Sequence, residues 1–345
     1  MGKYILKRIG YMFVVLLILS FLMYLIYNLV PNNRAYTDAR SEYQSQARGQ
    51  NANLLDFDEI YLKYQRQYGT ETNNLAIRYL RWVGVYPLYD GSYNGLLQGN
   101  FGYSYEYKKD VIEVIGAPMK NTIFINIFAT ILALAITIPL GIICAVKKGS
   151  KGDQAMQVVT ILGYSLPTFL FAILGIWIFC SLLGIFPPSG MKTPGSNYTG
   201  WKYFIDRLYY ISLPLIVMTF CSLGSMTRYV RASMIDALSM DCIRTARAKG
   251  VREKAVIYSH AWRNALIPVV TLVVGWFLGI FAGSLIFEQM FGLNGMGDLM
   301  ISSLRKADFD VVMLVQMFYV IMSLLGNLII DIVYGLVDPR VRVNK

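Results

Sequence analysis

The stretch Ile9-Gly-Tyr-Met-Phe-Val-Val-Leu-Leu-Ile-Leu-Ser-Phe-Leu-Met-Tyr-Leu-Ile-Tyr-Asn-Leu-Val30 runs for 22 residues without an Asp, Glu, Lys or Arg. A helix needs about 20 apolar residues to cross the hydrocarbon of a bilayer. A membrane β-strand would alternate apolar and polar residues over about ten positions, which the run Val14-Val15-Leu16-Leu17-Ile18-Leu19 does not do. Five further uncharged stretches follow, at 121–146, 154–186, 208–227, 264–287 and 311–330. The 345 residues are 55% hydrophobic and 15% charged, whereas charged side chains make up about a quarter of a soluble chain. A soluble two-domain protein is excluded, and the expectation is an all-α integral membrane protein with six transmembrane helices.

Lys3, Lys7 and Arg8 precede the first stretch as the basic region of a signal peptide would. The stretch is longer than a signal's apolar core, and no small-residue cleavage pattern follows Val30, so it reads as a retained helix. A net charge of +11 would raise nucleic acid as a partner in a soluble protein; here its placement sets the orientation. With the N-terminus in the cytoplasm, seventeen basic residues fall on that side: Lys3, Lys7, Arg8, Lys147, Lys148, Lys151, eight from Arg228 to Arg263, and Arg340, Arg342 and Lys345. The short loops opposite hold Lys192, Lys202, Arg207, Arg305 and Lys306. Both termini are therefore expected in the cytoplasm.

The 88-residue segment 31–118 then lies outside, and its mixed charges and Tyr, Asn, Gln and Gly content suit water. Helices are predicted over 54–68 and 73–83, and Pro87, Gly91, Gly95, Gly99 and Gly102 mark an irregular stretch. Such a segment either caps the bundle or docks an external partner. Cys144, Cys180, Cys221 and Cys242 all fall in spans or on the cytoplasmic side, so no disulfide framework is implied.

No G-x-x-x-x-G-K-[ST] loop occurs, so the chain is not expected to bind nucleotide itself. His260 is the only histidine, which excludes a multi-histidine zinc site; it reads as a packed helix residue in preference to a pH switch. Gly292, Gly295 and Gly297 follow the order G-x-x-G-x-G with no strand before them, a pattern that fits a tight outer turn and not a nucleotide fingerprint. Glu288 and Asp331 sit just past the fifth and sixth stretches. A charge at mid-bilayer costs about 2.5–3.5 kcal/mol on insertion scales; neither acid is central, which favours an interfacial hydrogen-bonding role over a gate. An ATP-independent secondary transporter and an intramembrane enzyme are the rival classes. The first often shows inverted repeats, which are not evident, and the second needs a catalytic pair within the spans.

Between the fourth and fifth stretches, Ile235, Leu238 and Ala246 recur at helical spacing before Gly250, and Val256, His260 and Ala261 after it. Two short helices hinged at glycine are expected. Thr245, Ala246, Ala248 and Gly250 are small enough for close approach, and Arg244, Arg247, Lys249, Arg252 and Lys254 ring them with charge. Such a loop docks a partner protein or rests on anionic headgroups.

Arg244-Thr-Ala-Arg-Ala-Lys-Gly250, followed by His260-Ala-Trp-Arg-Asn-Ala-Leu-Ile-Pro268, resembles the EAA loop of ABC importer permeases, in the form used by the oligopeptide and dipeptide (peptide/nickel) family. Gly99-Asn-Phe-Gly-Tyr-Ser104, Lys120-Asn-Thr122, Ser165-Leu-Pro167, Glu288-x-x-Phe291 with Gly295-x-Gly297, Asn327-Leu-x-x-Asp331-x-x-Tyr334 and Asp338-Pro-Arg-x-Arg342 are similar to further signatures of its B-type permease. The likeness covers about 78–343 well, 1–30 loosely and 31–77 not at all. Asn32-Asn33, Asn100, Cys242, Asn294 and Asp310 depart from the pattern, the last two standing where the family has proline.

The resemblance implies a type I ABC permease fold: cytoplasmic N-terminus and first helix at 1–30, extracytoplasmic segment at 31–118, permease core at 119–337 with its coupling loop at 228–263, and cytoplasmic tail at 338–345. It implies a non-enzymatic subunit of the bacterial or archaeal cell membrane, spanning the lipid bilayer and forming half of a pathway for oligopeptides or dipeptides. Nickel, glutathione or oligosaccharides are the alternative cargoes. Implied partners are a homologous second permease, two cytoplasmic ATPases that bind the ATP and Mg, and an extracytoplasmic substrate-binding protein; no cofactor is implied in this chain and no nucleic acid. Coupling is assigned to the 233–268 region, through Asp241, Arg244, Thr245, Ala246, Arg247, Ala248, Lys249, Gly250, His260, Asn264 and Pro268. Pathway or gate candidates are Asn121, Asn126, Ser165, Thr168, Thr219, Ser222, Glu288 and Gln316.

Overall fold

A computed structural model describes residues 2–29, 34–47, 56–104 and 106–337. Asn32-Asn33, the tail at 338–345 and the first residues of the helix expected from 54 lie outside the described residues. The chain divides into two compact units, Leu6–Ile115 with Ser302–Phe318, and Met1–Ile5 with Gly116–Ile301 and Tyr319–Lys345.

The first unit begins with α1 (Gly2–Leu29), which carries the opening uncharged stretch. Next comes α2 (Arg34–Ala47), a helix that apolar periodicity does not announce because its sequence is mostly polar. Among its described side chains the buried ones are Ala35 and Ala39, one turn apart. Tyr36 and Tyr43 pack edge-on against Phe57 of α3 (Phe57–Gln67), and Glu42 pairs with Lys63 at 3.1 Å. Asp56 caps α3 by accepting the Asp58 N–H, and Asn74 caps α4 (Leu75–Val83), which stops at Gly84 with φ +91°. These two helices fall where 54–68 and 73–83 are predicted, trimmed to their caps.

A two-stranded hairpin follows, β1 (Tyr103–Ser104) antiparallel to β2 (Lys109–Asp110). Asp310 accepts the Tyr103 N–H at 3.2 Å, and the buried Ser104 hydroxyl donates to the buried Asp308 carboxylate at 2.5 Å. The unit's core is Tyr24, Tyr79 and Met313, with Phe21, Tyr27, Trp82 and Val83 against them.

The second unit takes most of α5 (Val111–Val146), then α6 (Lys151–Ser165) and α7 (Thr168–Gly175), which continues as a π-helical segment over Ile176–Leu182. The chain bends by 100° between Gly163 and Thr168, where Ser165-Leu-Pro167 stands; proline disfavours helical backbone in the residue before it. α8 (Gly200–Ser239) is 40 residues long, about 60 Å, and runs past the 208–227 stretch at both ends. α9 (Asp241–Ala248), α10 (Glu253–Ala255), a π-helical segment at Val256–Ala261 and α11 (Trp262–Gly279) follow, with a 62° bend between Leu266 and Pro268. The remaining helices are α12 (Leu285–Met290), α13 (Met296–Arg305) and α14 (Phe309–Val337).

Among the described residues, four helices are long and apolar enough to cross a membrane, and counting each bent pair as one span gives up to six. Two boundaries differ from expectation. The uncharged run 264–287 is not one helix: α11 stops at Gly279, and Asn126 satisfies the freed carbonyls of Ile280 and Ala282 at 3.0 and 2.9 Å. Asp331 lies within α14 and not beyond it.

Among the described residues, two apolar clusters lie in this unit. One joins Ile142, Met226, Val230, Met234, Ile243, Val256 and Val269; the other joins Ile125, Ala172, Ile211, Leu213, Phe287, Phe291 and Leu293. In the first, a Cβ on Gly141 would stand 2.7 Å from Val230, so α5 and α8 meet there only through glycine.

Candidate functional site

The basic loop is built on one amphipathic turn. In α9, Ile243 and Ala246 are buried in the first apolar cluster, while Asp241, Arg244, Thr245, Arg247 and Ala248 are exposed, as are Lys249 and Gly250 beyond it. Spacing of three places the buried pair on one face and leaves the charged face free. Ala246, expected to meet a partner, faces the chain's own core instead. Gly250 adopts φ +72° with nothing within 4 Å of a would-be Cβ: backbone conformation, not crowding inside this chain, is what glycine answers there. Arg247 and Glu253 close the hinge across it at 2.6 Å, an exposed pair that solvent screens.

After the hinge the backbone widens to π-helical geometry, which rotates the following residues relative to an α-helix. His260, expected to be packed, is therefore exposed. Its carbonyl accepts the Asn264 amide at 3.0 Å, and Pro268 follows at the 62° bend. Asn264 and Pro268 thus shape the loop's exit.

A brace that sequence reasoning missed lies beside this loop. Arg231 on α8 binds Asp153 on α6 through two hydrogen bonds of 2.7 Å, and Asp153 also accepts the Gly149 N–H at 2.9 Å. Arg231 is one of eight basic residues in its region, and only the fold singles it out.

At the glycine turn, Glu288 is 4% exposed and accepts four hydrogen bonds: Thr122 hydroxyl 2.9 Å, Gly297 N–H 2.7 Å, Asp298 N–H 3.1 Å and Ser284 N–H 3.4 Å. Thr122 in turn accepts the Met296 N–H at 2.8 Å. The carboxylate caps the N-terminus of α13, whose orphan N–H groups and dipole favour an anion. Burial pushes the Glu288 carboxyl up, against the opposing pull of its donors. Cβ atoms on Gly295 and Gly297 would lie 2.5 and 3.0 Å from Glu288 Oε2. Asn294 has φ +47°, which proline cannot adopt. Its carbonyl accepts the Asn121 amide at 3.1 Å, and Asn121 accepts from Arg207, whose guanidinium lies 4.1 Å from the Phe124 ring centre.

Asn121 and Glu288 are therefore brought together around the glycine turn, and Asn126 holds the chain where α11 ends, as structural hydrogen-bonding groups. Ser165 and Thr168 are exposed at the 100° bend. Ser222 bonds back to the Met218 carbonyl at 2.8 Å, Thr219 is buried with its hydroxyl unpaired, and Gln316 accepts from Tyr27 at 2.7 Å. No group of three or more His, Cys, Asp or Glu able to hold a metal occurs among the described residues.

Bent apolar spans, a helix displayed on a basic loop and a buried acid locking a turn define a multi-span helical membrane protein. Residues 137–343 match the family described as binding-protein-dependent transport system inner membrane component. The chain belongs to that family, and it is a multi-pass membrane transport subunit. It is 36% identical over 77% of its length to the oligopeptide transport system permease protein AppB of Bacillus subtilis, covering 80% of that protein. It is 34% identical to the dipeptide transport system permease protein DppB of Escherichia coli, over 73% of this chain and 79% of that one. The peptidoglycan transport system permease protein YejB of Agrobacterium fabrum is 30% identical over 91% of this chain and 82% of its own.

Proposed function

We propose that the chain is the B-type permease of an ATP-driven peptide importer, forming half of the pathway for oligopeptides or dipeptides. The names of its relatives support the cargo. The observation that carries the coupling mechanism is the split of α9: Ile243 and Ala246 anchor it inside the bundle, leaving Arg244, Thr245, Arg247 and Lys249 displayed. A partner gripping that face moves the buried face with it, and the Asp153–Arg231 brace carries the motion into α6 and α8. A homologous permease completes the pathway, two cytoplasmic ATPases bind the ATP and Mg and grip one coupling helix each, and an extracytoplasmic binding protein delivers peptide. No cofactor resides in this chain, and the excess of basic residues in its short loops supports placing both termini in the cytoplasm.

Affinity purification of the tagged chain from its native membrane tests this. Recovery of a second permease and nucleotide-binding subunits, with ATPase activity raised by a peptide mixture, is expected. Recovery of the chain alone, transporting in vesicles without ATP, overturns it.

A further inference from the structure

The unit formed by residues 6–115 and 302–318 contains a cavity of about 680 Å3, within the range of small-molecule sites. It is distinct from the basic loop and the glycine turn, and none of their residues lines it. Its walls are aromatic and buttressed: Tyr24 lies against Trp82 at 5.4 Å between ring centres, and Tyr27 against Phe309 at 5.5 Å.

Two groups of opposite charge on these walls have hydrogen-bonding capacity left over. Arg78 is braced by Asn28 at 2.6 Å and lies near Tyr24, yet its Nε is buried without a partner. Buried N–H groups are ordinarily paired, so this guanidinium is not fully satisfied within the chain, and its cation lines the cavity. Asp110, on β2, lines the cavity, is exposed, and has no side-chain hydrogen bond or ion pair among the described residues. The other two charges on the walls are engaged: Arg81 pairs with Glu71 at 2.5 Å, and Asp310 accepts the Tyr103 N–H.

A cation and an anion on the walls of one aromatic cavity match a molecule with a carboxylate at one end and an ammonium at the other. We propose that this cavity holds a short peptide with free ends, its carboxylate on Arg78 and its ammonium on Asp110. Recognition of the two ends leaves the side chains unread and admits many sequences. The choice of peptide over another zwitterion of this size rests on the import reading above.

The assembled transporter in lipid nanodiscs is titrated calorimetrically with tetra-alanine, and with the same peptide acetylated and amidated. Tetra-alanine is expected to bind, with affinity falling at least about tenfold on capping both ends, in Asp110→Asn and in Arg78→Gln. Arg78→Lys, which keeps the charge, is expected to retain part of it. Asp110 is exposed, so its variant stays readable even if Arg78→Gln fails to fold. Equal affinity in wild type and Asp110→Asn, equal affinity for the capped peptide, or no binding at millimolar tetra-alanine overturns the site. ATP-driven uptake of tetra-alanine, measured in parallel, separates the two readings. Uptake without binding at this cavity removes the site and leaves the importer, whereas binding that depends on Asp110 without uptake keeps the site and removes the importer.

Discussion

Arg231 grips Asp153 with both edges of its guanidinium, Nε to Oδ1 and Nη2 to Oδ2, each at 2.7 Å. Asp153 is 2% exposed and also holds the Gly149 N–H, so one carboxylate ties the turn before α6 to α8. Breaking a buried pair by neutralising one partner costs about 3–5 kcal/mol; the 20% exposure of the Arg231 side chain places this pair toward the lower end. Asp153→Asn and Arg231→Gln should each lower the melting temperature of the detergent-purified chain clearly. An unchanged melt in both variants would remove the brace from the account.

Glu288→Gln should also destabilise, because an amide presents only one acceptor oxygen to four donors and turns its NH2 against the others. A buried donor left unpaired costs about 1–3 kcal/mol. Thermal melts of the detergent-purified wild type and variant check this, and an unchanged melt would contradict the assignment.

Glycine substitutions separate crowding from flexibility. Gly295→Ala and Gly297→Ala place a methyl about 2.5 and 2.8 Å from its nearest neighbours, and overpacking of this kind costs about 1–3 kcal/mol. Gly275→Ala, within α11 and with nothing inside 4 Å, should be neutral or stabilising by up to about 1 kcal/mol. Thermal melts of the three variants side by side give the answer, and equal effects would mean the close approach at the turn is unimportant.

The spans were legible because an uncharged run of about 20 residues matches the thickness of the hydrocarbon and is hard to bury in a soluble domain. The turn was legible because Glu288, Gly295 and Gly297 stand where its chemistry needs them. Other features were hidden for identifiable reasons. Among its described side chains polar α2 buries two alanines, a face too narrow for periodicity to register. Ala246 and His260 exchanged their expected environments because helical phase cannot be read through Met240, where the backbone turns extended, or through a π-helical segment. The departures Asn294 and Asp310 make local sense: one takes a positive φ, and the other accepts a backbone N–H beside Gly102. Asp153–Arg231 joins residues 78 positions apart, a pairing that no local pattern announces.

At Gly250 two substitutions divide backbone strain from partner contact. Gly250→Ala forces a Cβ into the left-handed region at φ +72°, a strain of about 1–2 kcal/mol. Gly250→Trp carries the same strain but adds bulk into space that is open within this chain. If a partner covers this position, Trp abolishes peptide uptake while Ala leaves most of it. Equal uptake in both variants would place the contact elsewhere on the loop.

The most direct test is the number of peptides imported per ATP hydrolysed by the reconstituted transporter, compared between wild type and an Arg244→Ala, Arg247→Ala double variant. Both side chains are exposed and neither supports the core, so folding should survive. The account predicts ATP-dependent uptake in wild type and a fall of at least about tenfold in that ratio in the variant, with basal ATPase retained. An unchanged ratio, or uptake that proceeds without ATP, would contradict it.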